Sequence, residues 1–463
     1  MNGMTILMVL HNAAEYVKLS IQSIRMFADV ENLSVVVVDN HSDDALAEWA
    51  REQEDITYVY MDEGELPFGQ VVNKVCDALE IDSDLLVMDA HYMLTPHALG
   101  RMQALLYREP AIGAVGGMSN SFSAIQKLRG LTDYEEAVRW ADIKKGTGQS
   151  KRILGLHSDI VLLKAEMLSE TGVFDEELVS QEYVMKDLEF RMVLSDWELQ
   201  ICQEALFWDV RGNGPYLTES KTEEATIEKK WGMHYFNVAF NRNLLELINK
   251  DREAPISVLE IGCDCGATLL EIRNLYPHAA VYGIELNEKA AMVASHVVNV
   301  QVRNIEEQNL DFAPHTLDYI IFGDVLEHLH DPLKTLQYCR EFLKEDGHIL
   351  ASIPNLMHIS VMEELLKGNF TYMEKGLLDR THIHFFTYNE IIKMFHAAGY
   401  EMEEVRSVLS LISEEQEILI DRLLELRGGT SRHMYETFQY VVCAGVGTSA
   451  PSISGQVFNS SYG

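Results

Sequence analysis

The chain has 463 residues, 47% of them apolar, with 72 acidic side chains against 37 basic ones and a formal net charge of −35. Its length points to two or three domains, each able to bury its own core, and its charge argues against nucleic acid and anionic lipid as partners. The longest apolar runs are strand-sized, which excludes a helical membrane span, Met1 to Leu10 has no signal-peptide pattern, and six scattered cysteines fit a reduced, cytoplasmic protein without disulfides.

Thr5 to Asn12 reads as a strand running into a polar turn, and Ala14 to Phe27 has helical periodicity. The β-branched run Leu33 to Asp39 is too uniformly apolar for an edge strand and belongs inside a parallel sheet. Strand, helix, strand and an acid at the carboxyl edge make half of a nucleotide-binding α/β domain. Three stretches in order, His11 to Val17, Val38 to Asp44 and Leu66 to Asn73, resemble family 2 glycosyltransferases of the GT-A fold. The resemblance implies a nucleotide-sugar donor held by Leu10, His11, Asn12, Glu15, Asp39, Gly69, Asn73, Asp89 and Ala90, with Asp39 on the nucleotide base.

Asp84 to Pro96 aligns with the family strand that ends Asp-x-Asp, where two carboxylates hold Mg²⁺ or Mn²⁺. Here the pair is Asp89 and His91. Imidazole can ligate Mn²⁺, whereas Mg²⁺ favours oxygen. Three readings follow: a divalent metal on Asp89 and His91, metal-independent transfer, or a donor site without activity. Gly172 to Glu177 and Gln181 to Arg191 resemble the family's acceptor-side segments. An inverting transfer needs a carboxylate to take the acceptor proton, and Asp187, then Glu182, are the candidates. Glu189 and Arg191 read as a solvated helix face, and Asp209 as an alternative metal ligand. Gly212 to Lys230 reads as a linker or acceptor loop, which places a first domain over 1–220 and a linker with the start of a cofactor-covering helix over 221–240.

Val258 to Leu269 reads as a buried strand, a glycine turn and a helix start. Gly262 and Gly266 let the backbone approach a ligand, and the next strand, Ala280 to Glu285, ends in an acid placed to grip a ribose diol. With Asp318 to Leu329, these stretches resemble class I S-adenosylmethionine (SAM) methyltransferases. A dinucleotide fold asks instead for Gly-x-Gly-x-x-Gly, a different spacing. The resemblance implies SAM held by Glu260, Gly262, Cys263, Gly266, Glu285, Leu286, Asn304, Ile305, Asp324 and Val325. Asp264 stands where the family has glycine. The helix pattern Asn241 to Ile248 covers the cofactor or simply packs.

Gly376 to Thr387 resembles a segment of methyltransferases from surface-glycan and secondary-metabolite pathways. Methylating a hydroxyl needs a base, and the candidates are His328, His382, His384 and Asp379. Strands Tyr400 to Ser410 and Phe438 to Val446, with a helix Glu414 to Leu426 between them, would complete a methyltransferase domain over 241–448. Ser449 to Gly463 reads as a disordered tail. The chain is therefore expected to be α/β throughout, a GT-A domain followed by a Rossmann-like methyltransferase domain. It would transfer a sugar to a glycan, glycolipid or glycoprotein acceptor and O-methylate a sugar hydroxyl. The alternatives are a methyltransferase carrying a non-catalytic glycan-binding module, and a small-molecule methyltransferase with an inert appendage.

Overall fold

The computed structural model describes residues 3–44, 46–122, 126–144, 146–212, 220–232, 238–426 and 431–447. The chain divides into two compact units, Met1–Val238 and Ala239–Gly463. Among the described residues no helix is long and apolar enough to cross a membrane. The sequence expectation for 449–463 lies outside the described residues.

The first unit is built on a nine-stranded sheet. Its strands are β1 (Met4–Leu10), β2 (Leu33–Asp39), β3 (Thr57–Tyr60), β4 (Asp84–Met88), β5 (Tyr92–Leu94), β6 (Ile112–Ser119), β7 (Ser150–Ile153), β8 (Ile160–Leu163) and β9 (Glu198–Asp209). They lie in the order β3-β2-β1-β4-β8-β6-β9-β5, with β7 also paired to β9. β1 is parallel to β2 and β4, so both of its faces are covered, and Val35 to Val38 on β2 are buried because helices close the sheet there. The helix Ala14–Phe27 lays Val17, Ile21 and Ile24 on that core at helical spacing. β8 runs antiparallel to β4 and opposes Ile160 to Met88. This brings Asp159 to the edge where β4 ends, and the Asp89 N–H donates to the Asp159 carbonyl at 2.9 Å.

Residues 220–232 depart from the expected linker. Lys221–Trp231 is a helix, capped by Ser220 and pinned where Glu223 accepts from the N–H groups of Val179 and Ser180 at 2.8 and 2.9 Å. A run of charged residues reads as linker when its partners lie far away in sequence. Here the partners are at the start of the helix Gln181–Leu194, so this stretch belongs to the first unit and the division falls after 238 rather than at 220.

The second unit has a seven-stranded sheet. β10 (Ser257–Ile261), β11 (Ala280–Glu285), β12 (Asn299–Val302), β13 (Leu317–Gly323) and β14 (Leu343–Pro354) are parallel neighbours. β15 (Tyr400–Leu409) and β16 (Thr437–Val446) add an antiparallel end, in the order β12-β11-β10-β13-β14-β16-β15. The order reverses direction at β10, and in open α/β sheets ligands settle outside the strand ends at that point.

Candidate functional site

At the edge of the second unit, Gly262 follows β10 with φ +69°, and a Cβ placed there would stand 2.6 Å from Val325 Cγ2. Both the left-handed backbone and the close wall require glycine. Gly266 repeats the conformation at φ +85° as the helix Ala267–Leu275 begins. Asp264 holds φ +48°, so the aspartate keeps the backbone shape of the glycine it replaces, one of the few side chains that tolerate it. The turn is fastened to β11, because Glu285 accepts from the N–H groups of Asp264 at 2.8 Å and Asn287 at 2.7 Å.

Glu260 supplies the strongest sign of a ligand. It is 4% exposed, its Oε2 has no partner among the described residues, and burial pushes its carboxyl up to about 8. Leu286, 68% exposed beside Glu285, offers an apolar wall at the same edge. An acid awaiting a cationic partner, a glycine floor and an apolar wall fit SAM, whose methionine part carries an ammonium and a sulfonium. When bound, that group supplies an electrophilic methyl. The short helix Arg242–Leu245 is set beside Gly323, with Asn241 bridging Thr268 and Ser352.

Not every predicted cofactor residue faces this edge. Ile305 is 6% exposed and packs in the core, and the Cys263 thiol lies over Gly283, where a Cβ would come within 2.5 Å of Sγ. Cys263 therefore takes part through its backbone, and burial drives its thiol far up. Asn304 caps the following turn, accepting from Glu306 N–H at 3.0 Å. Asp324, at φ +54°, accepts from the Gln439 amide and is pushed up to about 6 by burial.

Beside Asp324 stands the acceptor-side cluster. The N–H groups of Ile383 and His384 both donate to the Glu327 carbonyl at 3.0 Å, which fastens the 381–386 segment over the turn after β13. His328 and His382 meet edge to face at 4.8 Å, and His382 Nε2 lies 4.0 Å from Glu327 Oε1. His328 Nδ1 contacts the Thr381 carbonyl at 3.2 Å and His382 Nδ1 the Leu377 carbonyl at 3.3 Å. A carbonyl only accepts, so each Nδ1 carries the hydrogen and each Nε2 keeps its lone pair. Burial, then the neighbouring His328, hold His382 below the ordinary imidazole range. Asp379 is raised by burial but held lower overall by hydrogen bonds from Thr381 and by the two imidazoles.

Glu327, which the sequence reading did not single out, is 1% exposed with neither carboxylate oxygen partnered among the described residues. Burial, then Asp324, push it up to about 8. Its only sequence signal was its place before His328. Glu327, His328 and His382 each bring one ligand-type atom within 4.8 Å of the others, so this group could also hold a cation. His384 belongs to the same segment but turns its Nε2 to the His330 carbonyl at 3.2 Å.

The edge of the first unit is organised differently. His11 and Asn12 are exposed, joined by Asn12 Nδ2 to His11 Nε2 at 2.9 Å. Asp39 ends β2, 1% exposed, accepting from Ser42 N–H at 2.8 Å and the Tyr58 hydroxyl at 2.7 Å. Each oxygen is engaged, with a second lone pair left in principle for a base. Asp89 is closed on its own loop, since Oδ1 accepts from His91 N–H at 2.8 Å and also faces His91 Nδ1, while the ring packs on Tyr16. Asp209 lies opposite Tyr92 in the β5–β9 pairing and takes Arg211 Nε and Nη2, both at 3.2 Å.

Several predicted donor residues serve packing. Leu10 and Ala90 are in the core, and Glu15 reaches into solvent toward Lys18. A Cβ on Gly69 would lie 2.1 Å from the Asp175 carbonyl, and Asn73 exchanges hydrogen bonds with Phe174 and reaches Glu176. Both hold the helix Phe68–Ala78 to the 174–176 turn.

Asp187 does not fit the role of a base. It is fully buried, with Arg191 Nε at 3.0 Å, Lys230 Nζ at 2.7 Å and Trp231 Nε1 at 2.8 Å around it. Two cations and an indole N–H occupy its oxygens, and a fully buried carboxylate has no path to an acceptor. Glu182, at the first turn of the helix Gln181–Leu194, is also paired with a cation, Lys186 Nζ at 2.5 Å, but unlike Asp187 it keeps a partly exposed side chain, near where Gln181 Nε2 donates to the Ser158 carbonyl next to Asp159. The expected solvated face of this helix is also corrected: Glu189 is 2% exposed, accepts from Leu156 N–H at 2.8 Å and is pushed up to about 8 by burial. Arg191 donates to the carbonyls of Thr171 and Val173 at 2.6 and 2.9 Å.

Residues 5–163 match the model of the glycosyl transferase family 2, and residues 233–405 that of a methyltransferase domain. A ubiquinone biosynthesis O-methyltransferase of Nitrosospira multiformis is 30% identical over 176 residues, 35% of this chain and 71% of the relative. One of Aliivibrio fischeri is 30% identical over 149 residues, 30% of this chain and 60% of the relative. Among solved structures, a SAM-dependent methyltransferase of Thermotoga maritima, titled a possible histamine N-methyltransferase, shares 18% identity over 44% of this chain and 87% of that one, with a TM-score of 0.31. GalNAc-T7 with UDP, GalNAc and Mn²⁺ shares 12% identity over 50% of this chain and 49% of that one, at 0.39. The chain belongs to the SAM-dependent methyltransferases, and it carries on its amino-terminal side a glycosyltransferase domain of family 2.

Proposed function

We propose that the chain is a bifunctional transferase that moves a sugar from a nucleotide-sugar donor to a glycan or glycoconjugate and O-methylates a sugar hydroxyl. Two sites on one chain raise the local concentration of one product at the next site. The single observation that carries the methyl-transfer half is Glu260, a buried acid with an unpartnered oxygen above the Gly262 turn. In this reading Glu260 meets the amino group of SAM, Glu285 the ribose diol, and Leu286 the adenine. His328 or His382 takes the acceptor proton at Nε2, with Asp379 and Glu327 balancing the imidazolium. In the first unit Glu182 takes the proton of the sugar acceptor. The free state of all six cysteines suits a reducing, cytoplasmic setting.

A second reading is favoured by Phe370, Tyr372 and Phe385, whose rings meet at 5.5 to 6.3 Å, with Phe385 6.2 Å from His382. An aromatic wall beside the base suits a phenolic acceptor, a small-molecule methyltransferase with the first unit as an inert appendage. Thermal-shift titration with SAM and a panel of nucleotide sugars, followed by methyl transfer to glycosylated product and to simple phenols, decides between them. Two independent stabilisations and preference for the glycosylated product are expected. Preference for the phenol, with no donor-sugar turnover, would establish the second reading.

A further inference from the structure

The carboxyl edge of the first unit holds Asp89, Asp159 and Asp209, a set of acids that by type alone suggests a divalent-cation site. The donor atoms do not fit one. Asp89 Oδ1 and His91 Nδ1 face each other, so the two atoms that would share an ion share a hydrogen instead. Asp209 accepts three times from Arg211, through the backbone N–H at 2.8 Å and two guanidinium N–H groups at 3.2 Å. Asp159 accepts from the Tyr92 hydroxyl at 3.0 Å and the Ser158 hydroxyl at 3.3 Å.

A cation already stands among these acids. The Val210 N–H donates to the His91 carbonyl at 3.1 Å, which carries the residues after β9 to the Asp89–His91 loop. The Arg211 guanidinium lies 5.9 Å over the Tyr92 ring, with a side chain 29% exposed.

We propose that the glycosyltransferase unit takes its nucleoside-diphosphate sugar without a divalent ion, and that the Arg211 guanidinium is the cation that meets the diphosphate. This rests on the nucleotide-sugar reading above. A guanidinium can hold a carboxylate on one edge and phosphate oxygens on another, because its donors lie in a planar fork. In the transfer the acceptor oxygen bonds to the anomeric carbon, and the bond from that carbon to the diphosphate oxygen breaks with its electron pair. The acceptor proton passes to Glu182, and Arg211 balances the charge gained by the departing diphosphate. His91 has the same logic: in place of a second acid it closes Asp89, so the edge presents less negative charge to the donor.

Calorimetric titration of the full chain with UDP, GDP and dTDP, in EDTA and again in Mn²⁺ or Mg²⁺, tests this. At least one diphosphate should bind in EDTA, with the metal changing Kd by no more than about threefold, and Arg211→Lys should weaken binding about tenfold because an ammonium lacks the fork. Removing Arg211 alone leaves the buried Asp209 without its guanidinium partner. The double variant Asp209→Asn with Arg211→Met removes both charges together, and it should melt like the wild type while losing diphosphate affinity about 100-fold. Binding that appears only with Mn²⁺ or Mg²⁺, or that ignores both variants, overturns the inference and leaves the nucleotide-sugar reading standing. No binding of any diphosphate in either buffer overturns both.

Discussion

The two carboxyl edges use acids in opposite ways. In the first unit each acid is answered from within: Asp39 by Tyr58 and Ser42, Asp89 by His91, Asp209 by Arg211, Asp187 by Arg191, Lys230 and Trp231. In the second unit Glu260 is buried with one carboxylate oxygen, and Glu327 with both, that no described residue hydrogen-bonds. An internally answered acid organises a loop, whereas an unanswered buried acid is costly unless something arrives to meet it. The first edge is thus prepared for an anionic ligand by hiding its negative charge, and the second for a cationic one by keeping acids in reserve.

The sharpest way to break this contrast is to remove the imidazoles that stand beside the unanswered Glu327 on the acceptor side. His382→Ala with His328→Ala should lower methyl-transfer kcat about 1000-fold, the middle of what a positioned base contributes, while calorimetry shows SAM binding unchanged. Retained kcat would mean that these imidazoles only hold the 381–386 segment. The converse test concerns an answered acid. Asp187→Asn should destabilise the first unit by about 1 to 2 kcal/mol, because it weakens the charge-assisted bonds from Arg191 and Lys230 to a buried group while both cations keep their other partners, whereas Glu182→Gln should leave the melting temperature in place and slow sugar transfer. The reverse outcome for the two variants would restore Asp187 as the base.

Acidity gives a third handle. Glu189, Glu260 and Glu327 are each pushed up to about 8 by burial from an ordinary 4.5. Since the folded form holds the proton more tightly than the unfolded chain, the stability these groups allow is complete below pH 4.5 and falls as pH rises toward 8. The slope is at most about 1.4 kcal/mol per pH unit for each group. Glu189→Gln, at a residue given no part in either proposed chemistry, should flatten one group's share of that decline in melting curves taken from pH 5 to 8. An unchanged slope would show that Glu189 ionises freely in the folded protein. The smallest effect is at the cofactor turn: Asp264→Gly should raise stability by up to about 1 kcal/mol, since glycine adopts φ +48° without the side-chain penalty. A lower melting temperature would assign the Asp264 side chain a holding role, through the Cys265 thiol it accepts from at 3.4 Å.

The sequence alone was enough for both sheets and for the turn that marks the cofactor edge. Val35 to Val38 and the run through Leu259 are apolar on both faces, which only a covered parallel strand requires, and Gly262 sits where local backbone geometry demands it. These are short-range signals, readable from neighbours in the chain. Only the tertiary structure decided which polar residues are available. Asn73 and Gly69 are spent on a turn about a hundred residues later. Asp187 meets Trp231 and Lys230 from a helix that reads in sequence as linker. Glu327 keeps both carboxylate oxygens without a hydrogen bond among the described residues because the 381–386 segment donates to its backbone carbonyl and brings His382 no nearer to the side chain than 4.0 Å. A residue's type says which bonds it can make, and its availability depends on what the fold brings beside it.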